Sequence, residues 1–314
     1  MGISAFIEDY PERRAQLRRG IPLVVALQGF SDAGGAVSQL EQFFEKNHSP
    51  ETLAVFNNDS FLDYRARRPA VTFVRDRLVD YEPARLVLES ASDVLGNEFL
   101  LLRGYEPDFQ WDLFLKTVTD IVDEFDVSVT TWVHAIPMPV PHTRPIGTTV
   151  SGTDSDLVES RSIWKPTTKL SASVGHALEH RLFSRGSAVV GFVLLVPHYL
   201  ANTEYPQALI TSLENIMAAT GLLFSTVDLM ERDREFRDQV EEQVRSNEES
   251  VEMLTNLERR YDEYVNETDG TDTPLAEHEG DLPTAEQIAT QFESFLAQHW
   301  GEAPPEQSTE SPDD

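Results

Sequence analysis

The side chains best suited to chemistry are an aspartate in a glycine-rich turn and two histidines that each follow Val-Pro. Gly29-Phe30-Ser31-Asp32-Ala33-Gly34-Gly35 comes directly after the apolar run from Ile21 to Leu27. That is where open α/β sheets receive ligands, outside the carboxyl end of a strand and at a helix N-terminus. The segment has neither the GxGxxG spacing nor the lysine of a phosphate-binding P-loop. Asp32 as a helix cap, with glycines for the tight turn, accounts for it without a ligand. An anionic side chain there would also oppose phosphate.

Val140-Pro141-His142 and Val196-Pro197-His198 each follow an apolar, β-rich run, and His134 lies near the first. Gathered at one sheet edge with Asp32, His142 and His198 would form a metal site or an acid/base pair. Bonded to loop backbone, with the prolines fixing the turns, they would be structural. There is no HExxH, no GxSxG and no cysteine, so thiol nucleophiles, thiolate ligands and the common hydrolase signatures are all missing. No cofactor and no metal is expected. Asp59, Asp63, Tyr64, Arg65, Arg67 and Arg68 form the densest charged cluster of the core region. Arginine forks beside aspartates make ion pairs within or between subunits more often than anion sites, and subunit contact is the preferred reading.

The elements that must position these residues follow from periodicity. The run from Ile21 to Gln28 is apolar without alternation, as in a strand covered on both faces. Further β-rich runs lie at 53–56, 71–74, 85–88, 99–102, 127–133 and 188–196, and amphipathic helices are predicted over 111–125 and from Pro206 onward. Strands alternating with helices predict an α/β core domain over 1–228, with a mainly parallel sheet and flanking helices.

From Leu222 to Asp269 there is no Gly or Pro, and Val240, Val244, Val251, Leu254 and Tyr261 recur at helical steps among charges. One long amphipathic helix, or a hairpin of two, is predicted as an extension over 229–265. Its narrow stripe suits packing on its own domain or on another subunit. Beyond Arg260 no Lys or Arg occurs, so 266–314 is predicted to be a flexible acidic tail. Within it, the capping box at Thr284-Ala-Glu-Gln287 opens a short helix over 284–300, with Ile288, Phe292, Phe295, Leu296 and Trp300 on one face.

The formal net charge is −29, from 54 acidic and 25 basic side chains. Such a field repels phosphate backbones and anionic lipid, so nucleic acid and membrane are excluded as partners. The first twenty residues lack an uninterrupted apolar region, and the apolar runs around 187–197 and 216–227 are too short or too broken to span a bilayer. A cytoplasmic location is expected.

Six segments in order then resemble the proteasome assembly chaperone family, subunit-two type, in its actinobacterial branch. They are Gly29 to Gly35, Asp63-Tyr64-Arg65-Ala66-Arg67-Arg68-Pro69, Gly104-Tyr105-Glu106-Pro107-Asp108 with Trp111, and Ile136 to Pro145. Val196 to Ala201 with Tyr205-Pro206, and Leu257 to Asp262, complete the set over roughly 20–265. The resemblance implies a fold similar to the phosphorylase/hydrolase-like architecture, oligomeric assembly and a part in building proteasome rings. Some relatives also carry a carboxylate-amine ligase label, for which these residues supply no basis.

Two departures stand out. Archaeal relatives that dock on proteasome rings end in a hydrophobic residue, a tyrosine and one more, whereas this sequence ends Ser311-Pro312-Asp313-Asp314. Close relatives carry a histidine shortly after the position of Pro145, where this chain has Thr148-Thr149-Val150-Ser151-Gly152. The expectation is a non-catalytic homo-oligomeric scaffold, a trimer, with proteasome subunits as further partners. The alternative is a small-molecule hydrolase or phosphorylase-like enzyme using Asp32, His142 and His198.

Overall fold

The computed structural model describes residues 5–29, 31–165 and 167–267. The tail segment beyond 267, with the helix expected at 284–300, lies outside the described residues. In chain order the elements are β1 (Phe6–Asp9), α1 (Pro11–Arg14), β2 (Leu23–Gln28), α2 (Ala36–His48), β3 (Glu51–Phe56) and α3 (Asn58–Phe61). Next come β4 (Ala70–Val74), β5 (Arg77–Glu82), β6 (Leu86–Ser92), β7 (Glu98–Tyr105), α4 (Trp111–Phe125), β8 (Thr130–Met138) and β9 (Gly147–Gly152). The chain continues through α5 (Ser155–Arg161), α6 (Val174–Ser184), β10 (Val189–Pro197), α7 (Pro206–Thr220), α8 (Val227–Arg245) and α9 (Glu248–Glu267).

The main sheet has eight strands in the order β1-β3-β6-β7-β2-β8-β10-β9. Its centre is parallel: β2 runs alongside β7 and β8, and β10 alongside β8. Antiparallel strands complete both sides. Parallel strands need crossovers, and crossovers put helices on the faces. Here α2 and α7 pack together on one face, and α4 and α6 on the other. The unalternated run in β2 follows directly, since Leu23 to Leu27 are all buried. On the α4/α6 face, Val25, Leu27 and Leu102 meet Phe114, Val118, Val174 and Leu178 in one apolar core.

Strands expected from the apolar runs all form, but the run at 71–74 does not join the main sheet. It becomes β4, which pairs only with β5 in a separate two-stranded sheet. The run at 127–133 starts later, with β8 at Thr130. β1, β5 and β9, with α5 and α6, carry too little periodicity to be read from sequence.

The long helix expected from 222 onward is interrupted at Ser246-Asn247, the two-helix form of the prediction. Asn247 Oδ1 accepts the Glu249 N–H at 2.9 Å, a local cap that competes with helix continuation. The two helices contact each other, and carboxylates from both, Glu241 and Glu258, act on the same histidine, His142. In a continuous helix those carboxylates would be about 25 Å apart.

The extension is held on its own domain. Thr143 Oγ1 donates to Glu258 Oε1 at 2.5 Å, and the Arg144 guanidinium grips both oxygens of Asp262 at 2.8 and 2.6 Å. Tyr261 and Tyr264 donate to the carbonyls of Pro145 and Ile163. Val240, Leu257 and Tyr264 are buried, Val244, Leu254 and Tyr261 are half-buried, and Val251 is exposed. All the described residues belong to one compact unit.

Arg144→Ala is expected to loosen α9 while leaving the core intact, because the Arg144 pairs are solvent-screened and individually weak. Amide exchange should quicken in α9 and stay unchanged in β2 and β8. Unaltered exchange in α9 would mean that packing of Leu257 and Tyr264 alone holds the helix.

Candidate functional site

The carboxyl ends of the parallel strands gather most of the polar residues that could do chemistry. After β2, Gly34 and Gly35 adopt φ of +68° and +61°, a region that L side chains enter at a cost. Their glycine identity therefore serves the turn. Asp32 closes the same turn: Oδ1 accepts the Val37 N–H at 2.7 Å, and Oδ2 accepts the Ser38 N–H at 3.0 Å and its hydroxyl at 2.5 Å. The aspartate is a cap for α2, and the turn is tied to β8 by Ser31 Oγ donating to the Ala135 carbonyl.

His142 and His198 converge on Tyr199. The Tyr199 hydroxyl accepts the His142 backbone N–H at 2.7 Å and lies 2.8 Å from His142 Nδ1. The hydroxyl keeps a proton and a second lone pair, so it serves Nδ1 as donor or as acceptor, with the His142 proton on Nε2 or on Nδ1 respectively. That Nε2 is buried without a partner. Burial lowers the His142 pKa against the pull of Glu241 and Glu258, so the ring is neutral beneath the helical extension. His198 stacks edge-on to Tyr199, lies 3.3 Å from the Met138 carbonyl through Nδ1, and is likewise shifted down by burial. Among the described residues Asp32 bonds to Val37 and Ser38 and to neither histidine, and no three His, Cys, Asp or Glu side chains cluster as metal ligands.

A different set meets at the mouth of the sheet. Gly29, Glu106, Trp132, His134, Ser173 and Gly175 line a narrow cleft of about 20 Å³. Glu106 Oε1 accepts the Val174 N–H at 2.5 Å, at the N-terminus of α6 where a carboxylate is favoured. Its other oxygen lies so near Gly29 that a Cβ there would approach it to 2.9 Å. Ser173 and His176 form a reciprocal cap of α6, with Ser173 N–H donating to His176 Nδ1 at 3.1 Å. The His176 ring lies edge-on to Trp132 and 6.2 Å from that of His134. Burial, with His176 beside it, pushes His134 down to about 4. Both rings are neutral at pH 7.

On the opposite face of the sheet, Glu41 is pushed up to about 7, chiefly by burial against the opposing pull of Arg103. Gln28 Nε2 donates to one Glu41 oxygen at 3.2 Å, and the other has no partner. Arg103 itself is committed to Glu89 by a bidentate pair at 2.6 and 3.2 Å.

The charged cluster on the α3–β4 loop divides. Arg67 turns inward to the Glu106 carbonyl and Asp108. Asp63 pairs with Arg65, which is itself largely exposed, and Tyr64 and Arg68 are exposed. Sequence reasoning passed over Glu106, Ser173, His176 and Glu41. Glu106 lay in view within Gly-Tyr-Glu-Pro-Asp, and Ser173-x-x-His176 has the spacing of a capping box with histidine in place of the usual Glu.

These features define a three-layer α/β protein whose carboxyl-edge residues are largely engaged with one another. The PAC2 family model matches residues 26–244, and the chain belongs to that family. It is similar to the Mycobacterium tuberculosis protein of unknown function Rv2714, at 35% identity and TM-score 0.74, over 79% of this chain and 84% of that one. It is also similar to a Corynebacterium glutamicum protein of unknown function, at 33% identity and TM-score 0.75, over 79% and 92%. The M. tuberculosis proteasome-assembly chaperone homologue Rv2125 shares the fold at 18% identity and TM-score 0.68, over 74% of this chain and 100% of that one. A comparison with curated proteins found no match.

The two displaced pKa values predict opposite pH dependences. His134 has a folded pKa below that of the unfolded chain, so its contribution is full above about 6.5 and is lost as pH falls toward 4, by on the order of 3 kcal/mol. Glu41 has a raised folded pKa, so its contribution is full below about 4.5 and is lost as pH rises through about 7. Chemical denaturation from pH 4 to 8 should show a shallower acid loss in His134→Gln and a steeper one in Glu41→Gln. Parallel curves for wild type and both variants would contradict the assignment.

Proposed function

We propose that this chain is a non-catalytic, homo-oligomeric scaffold of the cytoplasm that assists assembly of a proteasome-like complex. A trimer is the expected oligomer, and proteasome subunits are the expected further partners. The observation that carries the reading is how the carboxyl edge spends its polar groups. Asp32 caps α2, one Glu106 oxygen receives the Val174 N–H, and His142 is buried under the extension with Tyr199. Groups spent on capping and burial hold loops in place and leave little to act on a substrate. Membership of the PAC2 family, and a fold shared with a proteasome-assembly chaperone homologue, supply the direction of the reading. No helix among the described residues is long and apolar enough to cross a membrane, in keeping with a cytoplasmic scaffold.

The competing reading is a hydrolase or phosphorylase-like enzyme. One observation favours it, the cleft that Glu106 and His134 line together, since a carboxylate and an imidazole are the usual partners in acid/base chemistry.

Reconstitution separates the two. Proteasome subunits from the same organism, mixed with this protein, should form a complex on native gels and assemble into rings faster than without it. Absence of both effects at tens of micromolar would remove the assembly reading. Turnover of a nucleoside, ester or amide that is lost in His134→Gln would establish the enzyme instead.

A further inference from the structure

Between α3 and β6 the chain leaves the main sheet to form the β4–β5 arm, whose strands pair only with each other. A two-stranded sheet standing alone is marginal in water and needs a further layer on an apolar face. The arm has such a face. Phe73 lies directly opposite Leu78, and Val71, two residues before Phe73, faces the irregularity at Asp80 and Tyr81. Phe73, Leu78 and Tyr81 are 68%, 65% and 63% exposed, and Val71 and Val74 are also exposed. Val71, Phe73, Leu78 and Tyr81 form an uncovered apolar patch on one face of the hairpin, and Val74 points to the other face.

Charge narrows the choice of cover. Residues 63–85 hold six of the chain's 25 Lys and Arg residues but only four of its 54 Asp and Glu. The arm is thus net positive on a strongly acidic molecule. Arg75 and Arg77 flank the turn of the hairpin and are exposed, so two arms laid face to face would bring like charges together. The remainder of a second copy is acidic and attracts the arm.

The chain carries a second exposed apolar patch that fits the same account. The β6–β7 turn is tied to the start of the extension, with Leu223 N–H donating to Asp93 and Val94 N–H to the Leu223 carbonyl. Around that tie Val94, Leu95, Leu223, Val227 and Met230 are all exposed, beside exposed Asp228 and Glu231. An adjoining groove between α2 and α8 also presents Lys46 and Arg232.

We propose that the β4–β5 arm of one copy docks on the Val94/Leu223/Val227 patch of the next. This contact is heterologous, so it covers both patches with one interface and forms a ring when the rotation between copies closes. The proposal rests on the homo-oligomeric reading and names its contact.

The chain has no cysteine, which makes the test direct. Light scattering should give wild type a mass several times 35.4 kDa. Phe73→Ser/Leu78→Ser should run as a monomer at the same concentration with an unchanged circular dichroism spectrum, its melting temperature lowered only by the loss of assembly. Under oxidation Leu78→Cys/Val227→Cys should give a disulfide-linked ladder, while Leu78→Cys and Val227→Cys alone should stay uncrosslinked. A monomeric wild type would overturn the homo-oligomer itself. An oligomeric wild type whose serine variant keeps its mass would overturn the arm alone, as would an arm that captures proteasome subunits and leaves the mass unaltered. Crosslinking of the Leu78→Cys variant by itself would mean arm against arm and would remove the heterologous contact.

Discussion

The architecture depends on one constraint: β7, β2, β8 and β10 run parallel at the centre of the sheet and must be covered on both faces. Parallel neighbours cannot be joined by hairpins, so the chain crosses over through α2, α4 and α6, and these helices, with α7 after the last strand, become the two outer layers. Crossing over also brings the carboxyl ends of the parallel strands to one edge. Gly29, Glu106 and His198 directly follow β2, β7 and β10, and His134 lies within β8 between them in the sheet, so topology assembles them. Any activity, and any loss of activity, in this fold would be written at that edge.

At that edge the deciding quantity is the cost of burying polar groups. A carboxylate or imidazole taken from water must find a partner or change its charge. Asp32 finds three donors on Val37 and Ser38, and Glu106 finds the N-terminus of α6. His134, His142, His176 and His198 all move downward in pKa, with burial as the leading cause. Glu41 takes the corresponding route for an acid and moves upward. Arg103 and Glu89 show the third solution, a bidentate pair whose geometry offsets its desolvation. An edge built in this way is rigid, which suits loops that must hold a surface in place.

Much of this was legible in the residues. The unalternated run before Gly29 gave a doubly covered strand, and Asp32 could be read as a cap because its type and spacing are those of a helix start. The convergence of the two Val-Pro-His motifs on Tyr199 could not be read, because their proximity depends on β8 and β10 being neighbours. The break at Ser246-Asn247 was weakly signalled, since both residues favour caps but neither is Gly or Pro. His176 stayed hidden because a histidine at the third position of a helix looks like any surface residue until its Nδ1 is seen to accept the Ser173 N–H. The destiny of β4 was the least legible, as an apolar β-run carries no mark that distinguishes a buried strand from an exposed one.

The extension and the arm are the same physical problem with different answers. Each leaves the central layers carrying apolar side chains, and each must recover the cost of being ordered. The extension does so in cis, where Leu257 and Tyr264 are buried and Arg144 clamps Asp262. The arm has no comparable layer above Phe73 and Leu78, so its cover has to come from another surface. A net charge of −29 repels a second copy at long range in low salt. At physiological salt, however, charges more than about 8 Å apart are largely screened. What one copy feels of another on contact is therefore local, and around the arm the local charge is reversed in sign. Acidic repulsion then acts against contacts between two acidic surfaces, and a contact that presents the arm escapes it.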